Sequence, residues 1–287
     1  MMTAGNNREE IERLLRESGD TEPETDSRIL TEELEGEALA EAVKRRASGE
    51  PLAYILGHRH FYREDYKVRQ GVLIPRADSE LLVEAALQYL GALDLPAGDV
   101  HDITPSSKSF DAVRFADLCT GTGCIGISLA NELGRHGMRV NGILTDISDT
   151  ALLTASENAL DCCSIPGTIE VQRHNILEDE LTGTYDIIVS NPPYITDLEM
   201  KELDREVSEY EPHLALEGGA DGLMFYESIF GKAYKTLAEG GAVMVEHGYL
   251  QGEAVRELCA KAGFEDIITL RDYGGNDRVT AGFKHAG

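Results

Sequence analysis

VRFADLCTGTGCIG, residues 113 to 126, is the stretch on which the fold turns. An apolar strand over 113 to 119 runs into Cys119, Thr120, Gly121, Thr122 and Gly123, and a helix over 124 to 134 follows. Glycines at 121, 123 and 126 satisfy G-x-G-x-x-G between strand and helix, where missing side chains let the backbone approach a nucleotide-like ligand. Taken alone the spacing is ambiguous. A dinucleotide fold uses it for pyrophosphate, and a methyl-transferring fold uses it for the methionyl and ribose parts of a sulfonium cofactor.

Outward from this stretch, strands and helices alternate, which argues for a parallel sheet covered by helices on both faces. Strands are expected at 139 to 146, 169 to 174, 185 to 190 and 241 to 247, with helices at 148 to 160, 222 to 238 and 250 to 262. Two last strands, 264 to 271 and 277 to 284, flank Tyr273, Gly274, Gly275 and Asn276, and so tight a turn implies an antiparallel pair. Asp146 ends the second strand. There its carboxylate can accept from both hydroxyls of a ribose, or it can cap the next helix, a task open to Asp149 as well.

SNPPY, residues 190 to 194, follows the apolar strand YDIIV. Two consecutive prolines cannot continue a sheet ladder, so the chain stops at the carboxyl edge of the sheet, where open parallel sheets bind ligands. The Asn191 side-chain oxygen and the Pro192 carbonyl can both accept from one planar NH₂ group, and Tyr194 can stack on a flat substrate. A rigid turn without function is the bland reading of N-P-P alone. With the glycine loop and the strand-end acid in order before it, the segment points to methylation of a planar nitrogen.

The N-terminal part has a different pattern. Ile11, Leu14 and Leu15 fall at helical spacing over 8 to 18, and Ile29, Leu30, Leu34, Leu39 and Val43 do so over 25 to 47. A small helical unit over 1 to 50, a connecting hairpin or linker over 51 to 77, and a main domain over 78 to 287 are the expected divisions. A helix over 78 to 91 would open with Asp78 as its cap. Residues 95 to 111 read as a polar, proline-containing surface loop.

The chain has 287 residues, 42% of them apolar, and a formal charge of −26 from 52 acidic and 26 basic side chains. A polyanion would be repelled over most of such a surface. The one basic segment, Lys44, Arg45 and Arg46 followed by His58, Arg59, His60 and Arg63, reads as a solvated helix end and loop. Five cysteines without paired spacing suggest neither disulfides nor zinc, and no metal is assigned. Neither a signal peptide nor a long apolar run is visible, so a cytoplasmic location and no membrane contact are expected.

Several stretches together resemble the PrmC/HemK family of release factor glutamine methyltransferases: GEPLAYILGHRHFY (49 to 62), LIPRADSELLVE (73 to 84), DLCTGTGCIGISLA (117 to 130), SNPPYI (190 to 195), YEPHLALEGGADGLMFY (210 to 226), EHGYLQGEAVRE (246 to 257) and RDYGGNDRVTAG (271 to 282). The resemblance implies an α/β fold, a class I methyltransferase with a seven-stranded mixed, Rossmann-like sheet, behind a small helical domain that helps hold the release factor. It implies S-adenosyl-L-methionine as cofactor, bound by Cys119, Thr120, Gly121, Thr122, Gly123 and Asp146, with Ile176 beside the adenine and Asn191 adjoining it. Asn191, Pro192, Pro193 and Tyr194 would hold the glutamine of a Gly-Gly-Gln motif, with Arg76 near the same pocket. Three departures stand out: Cys119 where glycine is usual, Ala77 in place of proline, and a helical unit shorter than usual. An adenine or guanine amino-methyltransferase would also suit SNPPY, but the acidic balance and the lack of a target-recognition domain oppose it. A non-catalytic nucleotide-binding protein is weakened by the presence of every expected catalytic group. An NAD-dependent oxidoreductase leaves SNPPY without a purpose.

Overall fold

In the computed structural model, which describes residues 4–93, 103, 104, 106, 108, 110, 112–165 and 168–285, the chain begins with three helices, α1 (Ala4–Glu17), α2 (Pro23–Glu33) and α3 (Gly36–Ala47). The single helix expected over 25 to 47 is two. Leu34 and Glu35 are extended and Gly36 takes a positive φ of 60°, which breaks the ladder and folds α3 back on its neighbours. Ile11, Leu15, Leu30, Leu39 and Val43 form the core of this unit, whereas Leu14 is 43% exposed, on the outer side of α1.

A short α4 (Leu52–Leu56) leads into an antiparallel hairpin of β1 (His58–Phe61) and β2 (Glu64–Lys67). Next comes a 3₁₀ turn, Ala77–Ser79, and then α5 (Glu80–Tyr89). Asp78 lies inside that turn and caps nothing, its carboxylate lying 3.3 Å from the Arg278 guanidinium instead. The surface loop expected over 95 to 111 lies for most of its length outside the described residues.

The main domain then runs through β3 (Ala112–Leu118), α6 (Cys124–Arg135), β4 (Arg139–Asp146), α7 (Asp149–Cys162), β5 (Ile169–Arg173) and β6 (Tyr185–Ser190). Beyond SNPPY come β7 (Ile195–Thr196), α8 (Arg205–Tyr210), β8 (Glu217–Gly219), α9 (Tyr226–Thr236), β9 (Leu237–Glu246), α10 (Gly252–Lys261), β10 (Glu265–Arg271) and β11 (Asp277–Lys284). Seven strands make one sheet in the order β10-β11-β9-β6-β3-β4-β5. Its strands are parallel except β11, which is antiparallel to both neighbours.

Consecutive strand residues face opposite layers, as the pleat requires. Phe115, Ile187 and Met244 pack under α5 and α6, while Ala116, Ile188 and Val243 pack under α9 and α10. The central β6 is buried along its whole length. This double coverage explains why YDIIV reads as a continuous apolar run and not as an alternation.

The helical unit is tied to the main domain by a charge. Arg46 is 6% exposed and donates to Asp26 Oδ2 (2.5 Å), Asp20 Oδ1 (3.0 Å), Glu206 Oε2 on α8 (3.0 Å) and the Glu50 carbonyl (3.1 Å). The expectation of a solvated basic helix end therefore fails at Arg46. Charge patterning could not foresee it because the acids come from positions 20, 26 and 160 residues away.

Candidate active site

β3, β4 and β6 end side by side at one edge of the sheet, and a cavity of about 420 Å³ opens there. Such a volume is in the range that takes a cofactor-sized molecule. Cys119, Thr120, Gly121 and Thr122 line it from the glycine loop, Asp146 from the end of β4, Ile176 from the segment after β5, and Asn191 and Pro193 from SNPPY. Arg76 lines it too, bonded to the buried carboxylate of Glu211, which also accepts from the Ile74 amide at 3.3 Å. Thus the LIPRADSE and YEPHL stretches meet at the cavity wall.

Each glycine of the loop has its own physical task. Gly121 has a φ of 57°, and a Cβ built on it would meet nothing nearer than Val72 Cγ1 at 3.9 Å, so that space is left to a ligand. Gly123 does not line the cavity. It precedes α6 at a φ of 83°, and its missing Cβ would lie 3.0 Å from Ile127, 3.2 Å from Leu144 and 3.3 Å from Ala155, which makes it a packing residue. Cys119 takes a φ of 58° despite its side chain, a backbone state that favours glycine. Burial pushes its thiol pKa well up, so it lies there neutral.

Three carboxyls converge on this edge. Asp117 Oδ2 accepts from Thr120 Oγ1 at 2.6 Å and from the Gly126 amide at 3.0 Å, while its Oδ1 is buried without a partner among the described residues. Burial raises its pKa to about 7, and the nearby Asp146 adds to the rise. Asp146 accepts from the Gly121 amide (Oδ2, 2.9 Å) and from the Ser148 amide (Oδ1, 2.9 Å), and burial raises its pKa as well. Ser148, not Asp146 or Asp149, caps α7 by accepting from the Ala151 amide. Glu246, 1% exposed at the end of β9, is pushed up to about 7 by burial, partly offset by the Ser79 and Tyr194 hydroxyls and the Arg278 guanidinium.

The residues present fit S-adenosylmethionine. An open glycine approach, a strand-end carboxylate with lone pairs to spare and the apolar wall of Ile176 match its methionyl, ribose and adenine parts.

At SNPPY the side chains divide. Asn191 Nδ2 donates to Ser79 Oγ at 3.1 Å, so the amide turns its oxygen the other way, and Oδ1 accepts nothing from the described residues. Pro192 is buried and does not line the cavity. Tyr194 does not line it either. Its hydroxyl donates to Glu246 Oε1 at 3.3 Å, its carbonyl accepts from Gln251 Nε2 at 2.8 Å, and its side chain faces a second cavity of about 310 Å³ beside Arg278. Room for that backbone comes from glycines: a Cβ on Gly218 would lie 2.7 Å from Tyr194 Cα, and one on Gly222 2.3 Å from its carbonyl oxygen. Ser79, Glu246 and Glu211 were not singled out from their own chemistry. The signal for them was membership of stretches that carried the family resemblance.

The methyltransferase small domain family matches residues 106–220. Among curated proteins, the release factor glutamine methyltransferase of Agrobacterium fabrum is 39% identical over 85% of this chain and 78% of its own length. That of Neisseria gonorrhoeae is 38% identical over 83% of this chain and 78% of itself, and that of Clostridium botulinum 32% identical over 88% and 82%. Such identity across most of both chains, on a seven-stranded sheet with SNPPY at its ligand edge, shows that this chain belongs to the release factor glutamine methyltransferase family.

Proposed function

We propose that the protein methylates the side-chain amide nitrogen of the glutamine in the Gly-Gly-Gln motif of peptide chain release factors, using S-adenosyl-L-methionine, in the cytoplasm. The observation that carries this is Asn191, whose Nδ2 is tied to Ser79 while Oδ1 faces no protein donor at the cavity wall. An acceptor so placed takes a hydrogen from a planar NH₂ group. It thereby raises electron density on a nitrogen whose lone pair is otherwise delocalised, an effect that grows as the new bond forms.

S-adenosylmethionine, when bound, supplies a methyl group activated by the sulfonium charge. That methyl would pass to the amide nitrogen, with sulfur keeping the electron pair of the broken bond and the nitrogen's proton leaving to water. The chain's own part is to hold and orient. Asp146 and the 119 to 122 loop would grip the cofactor, Arg76 and Glu211 fix one wall, and Asn191 with Pro193 would align the acceptor. The Pro192 carbonyl, at the same buried turn, would be the second acceptor beside Asn191 Oδ1.

Mass spectrometry of a release factor incubated with protein and cofactor should show one added methyl group on the glutamine of that motif. Transfer to RNA or DNA, with none to the release factor, would overturn the substrate.

A further inference from the structure

We propose that Ser79 and Glu246 are positioning residues that set which end of the Asn191 amide faces the acceptor nitrogen. This rests on the amide-holding role of Asn191 proposed above. The oxygen and nitrogen ends of an asparagine amide have nearly the same shape, so only hydrogen-bond partners decide between them. The partner here is Ser79 Oγ, 3% exposed and held in the 3₁₀ turn before α5. A hydroxyl has one proton. If that proton goes to a carboxylate, the oxygen is left as an acceptor, and only Nδ2 of Asn191 satisfies it.

Glu246 is the carboxylate in reach. Oε1 accepts from the Tyr194 hydroxyl, Oε2 is buried without a hydrogen-bond partner among the described residues, and the Ser79 hydroxyl is one of the groups that offset the burial of this carboxyl. Its own place is fixed, since its backbone carbonyl accepts from the Tyr226 hydroxyl at 2.9 Å. Ionised Glu246 therefore makes Ser79 donate inward and accept from Asn191, which leaves Oδ1 outward. Protonated Glu246 can donate to Ser79 instead. Ser79 is then free to donate to Oδ1, and the amide turns its NH₂ toward an acceptor that is itself an NH₂ group. Two donors face each other and the alignment is lost.

Among the described residues, the groups around Glu246 are Tyr194 from the SNPPY loop, Ser79 and Asp78 from the 3₁₀ turn, Arg278 from β11, Tyr226 from α9 and Cys124 at the start of α6. Arg278 stays charged, paired with Asp272 Oδ2 at 3.0 Å and Asp78 Oδ2 at 3.3 Å. Tyr194 is pushed to still higher pKa, chiefly by burial. Asp78 shares Arg278, so an acid limb seen in turnover has to be traced to Glu246 by substitution.

Two measurements test this. In the first, the side-chain NH₂ signals of Asn191 are identified in nitrogen-15 spectra by their loss in Asn191→Ala, and followed with pH in wild type, Ser79→Ala and Glu246→Gln. Slow hydrogen exchange of that NH₂ group at neutral pH is expected in wild type. Measured against the intrinsic exchange rate at each pH, its protection should fall about tenfold or more on acidification or in Ser79→Ala, and that loss with pH should vanish in Glu246→Gln. The second is turnover at saturating release factor and cofactor. Ser79→Ala should lower it about tenfold and remove its acid limb. An unchanged NH₂ signal in Ser79→Ala, or an acid limb of turnover that survives in Ser79→Ala, would overturn the proposal. A wild type that transfers nothing to the release factor sinks the substrate assignment instead, and the spectra still decide the amide's orientation.

Discussion

Leu144 Cδ2 lies 2.3 Å from where a Cβ on Gly126 would stand, so the helix after the cofactor loop rests flush on β4 at its third glycine. Asp117 Oδ2 would be 3.0 Å from the same Cβ. In an ordinary helix, alanine at such a site would add about 1 kcal/mol of stability over glycine. Here overpacking, typically about 1–3 kcal/mol, opposes it. Gly126→Ala should therefore lower the midpoint of thermal unfolding, and adding Leu144→Val should recover part of the loss. A more stable Gly126→Ala protein would show that α6 can shift freely.

Asp146→Ala removes the acceptor that fixes the Gly121 and Ser148 amides as well as the ribose contact proposed for it. Hydrogen bonds to a charged group contribute about 1.5–3 kcal/mol each, so cofactor affinity should fall about a hundredfold. Isothermal titration with S-adenosylmethionine checks this. Affinity within a few-fold of wild type would remove Asp146 from the cofactor site.

Asn191→Ala should abolish detectable transfer to the release factor while cofactor affinity changes by only a few-fold, because the residue mainly holds the acceptor. Near-normal turnover would refute that role. Tyr194→Phe tests the bond between Tyr194 and Glu246. It removes only the bond to Glu246, so it should reduce turnover moderately, about tenfold at most, and leave the Michaelis constant for the release factor nearly unchanged.

Replacing Arg46 by methionine leaves Asp26 and Asp20 buried together without their cation. Removing one partner of a buried pair costs about 3–5 kcal/mol, and denaturant unfolding should show a loss of that order. Burial already raises Asp26 from 3.8 to about 6, even beside Arg46. The folded state thus holds that proton more tightly than the unfolded chain does. Stability from this source is present at low pH and lost as pH rises through the folded value, so the penalty of Arg46→Met should be smaller at about pH 5 than at about pH 8.

Glu246 follows the same sign. Its pKa rises from 4.5 to about 7 on folding, so its contribution is fully present below the unfolded value and disappears as pH climbs through neutrality. Glu246→Gln has no proton to lose. Its unfolding midpoint relative to wild type should therefore move upward between about pH 5 and about pH 8, and a constant difference would mean that Glu246 titrates normally.

The sequence by itself determined the sheet and its ligand edge. Apolar runs ending in glycines, an acid or paired prolines are local signals, and strand termination is a local property of those residues. The antiparallel ending was equally legible, since Tyr273 through Asn276 leaves too little chain for a crossover. Tertiary structure alone decided which way each loop side chain faces. Gly123 and Tyr194 sit within motifs that suggest ligand contact, but the first is enclosed by Ile127, Leu144 and Ala155 and the second bonds to Glu246. Ser79 and Glu246 are 167 positions apart and meet only because β9 lies beside β6 and the 3₁₀ turn leads into α5 over that edge. A loop side chain has no periodicity to betray its direction. Its rotamer is set by partners distant in sequence, and at this site those partners fix the orientation of Asn191.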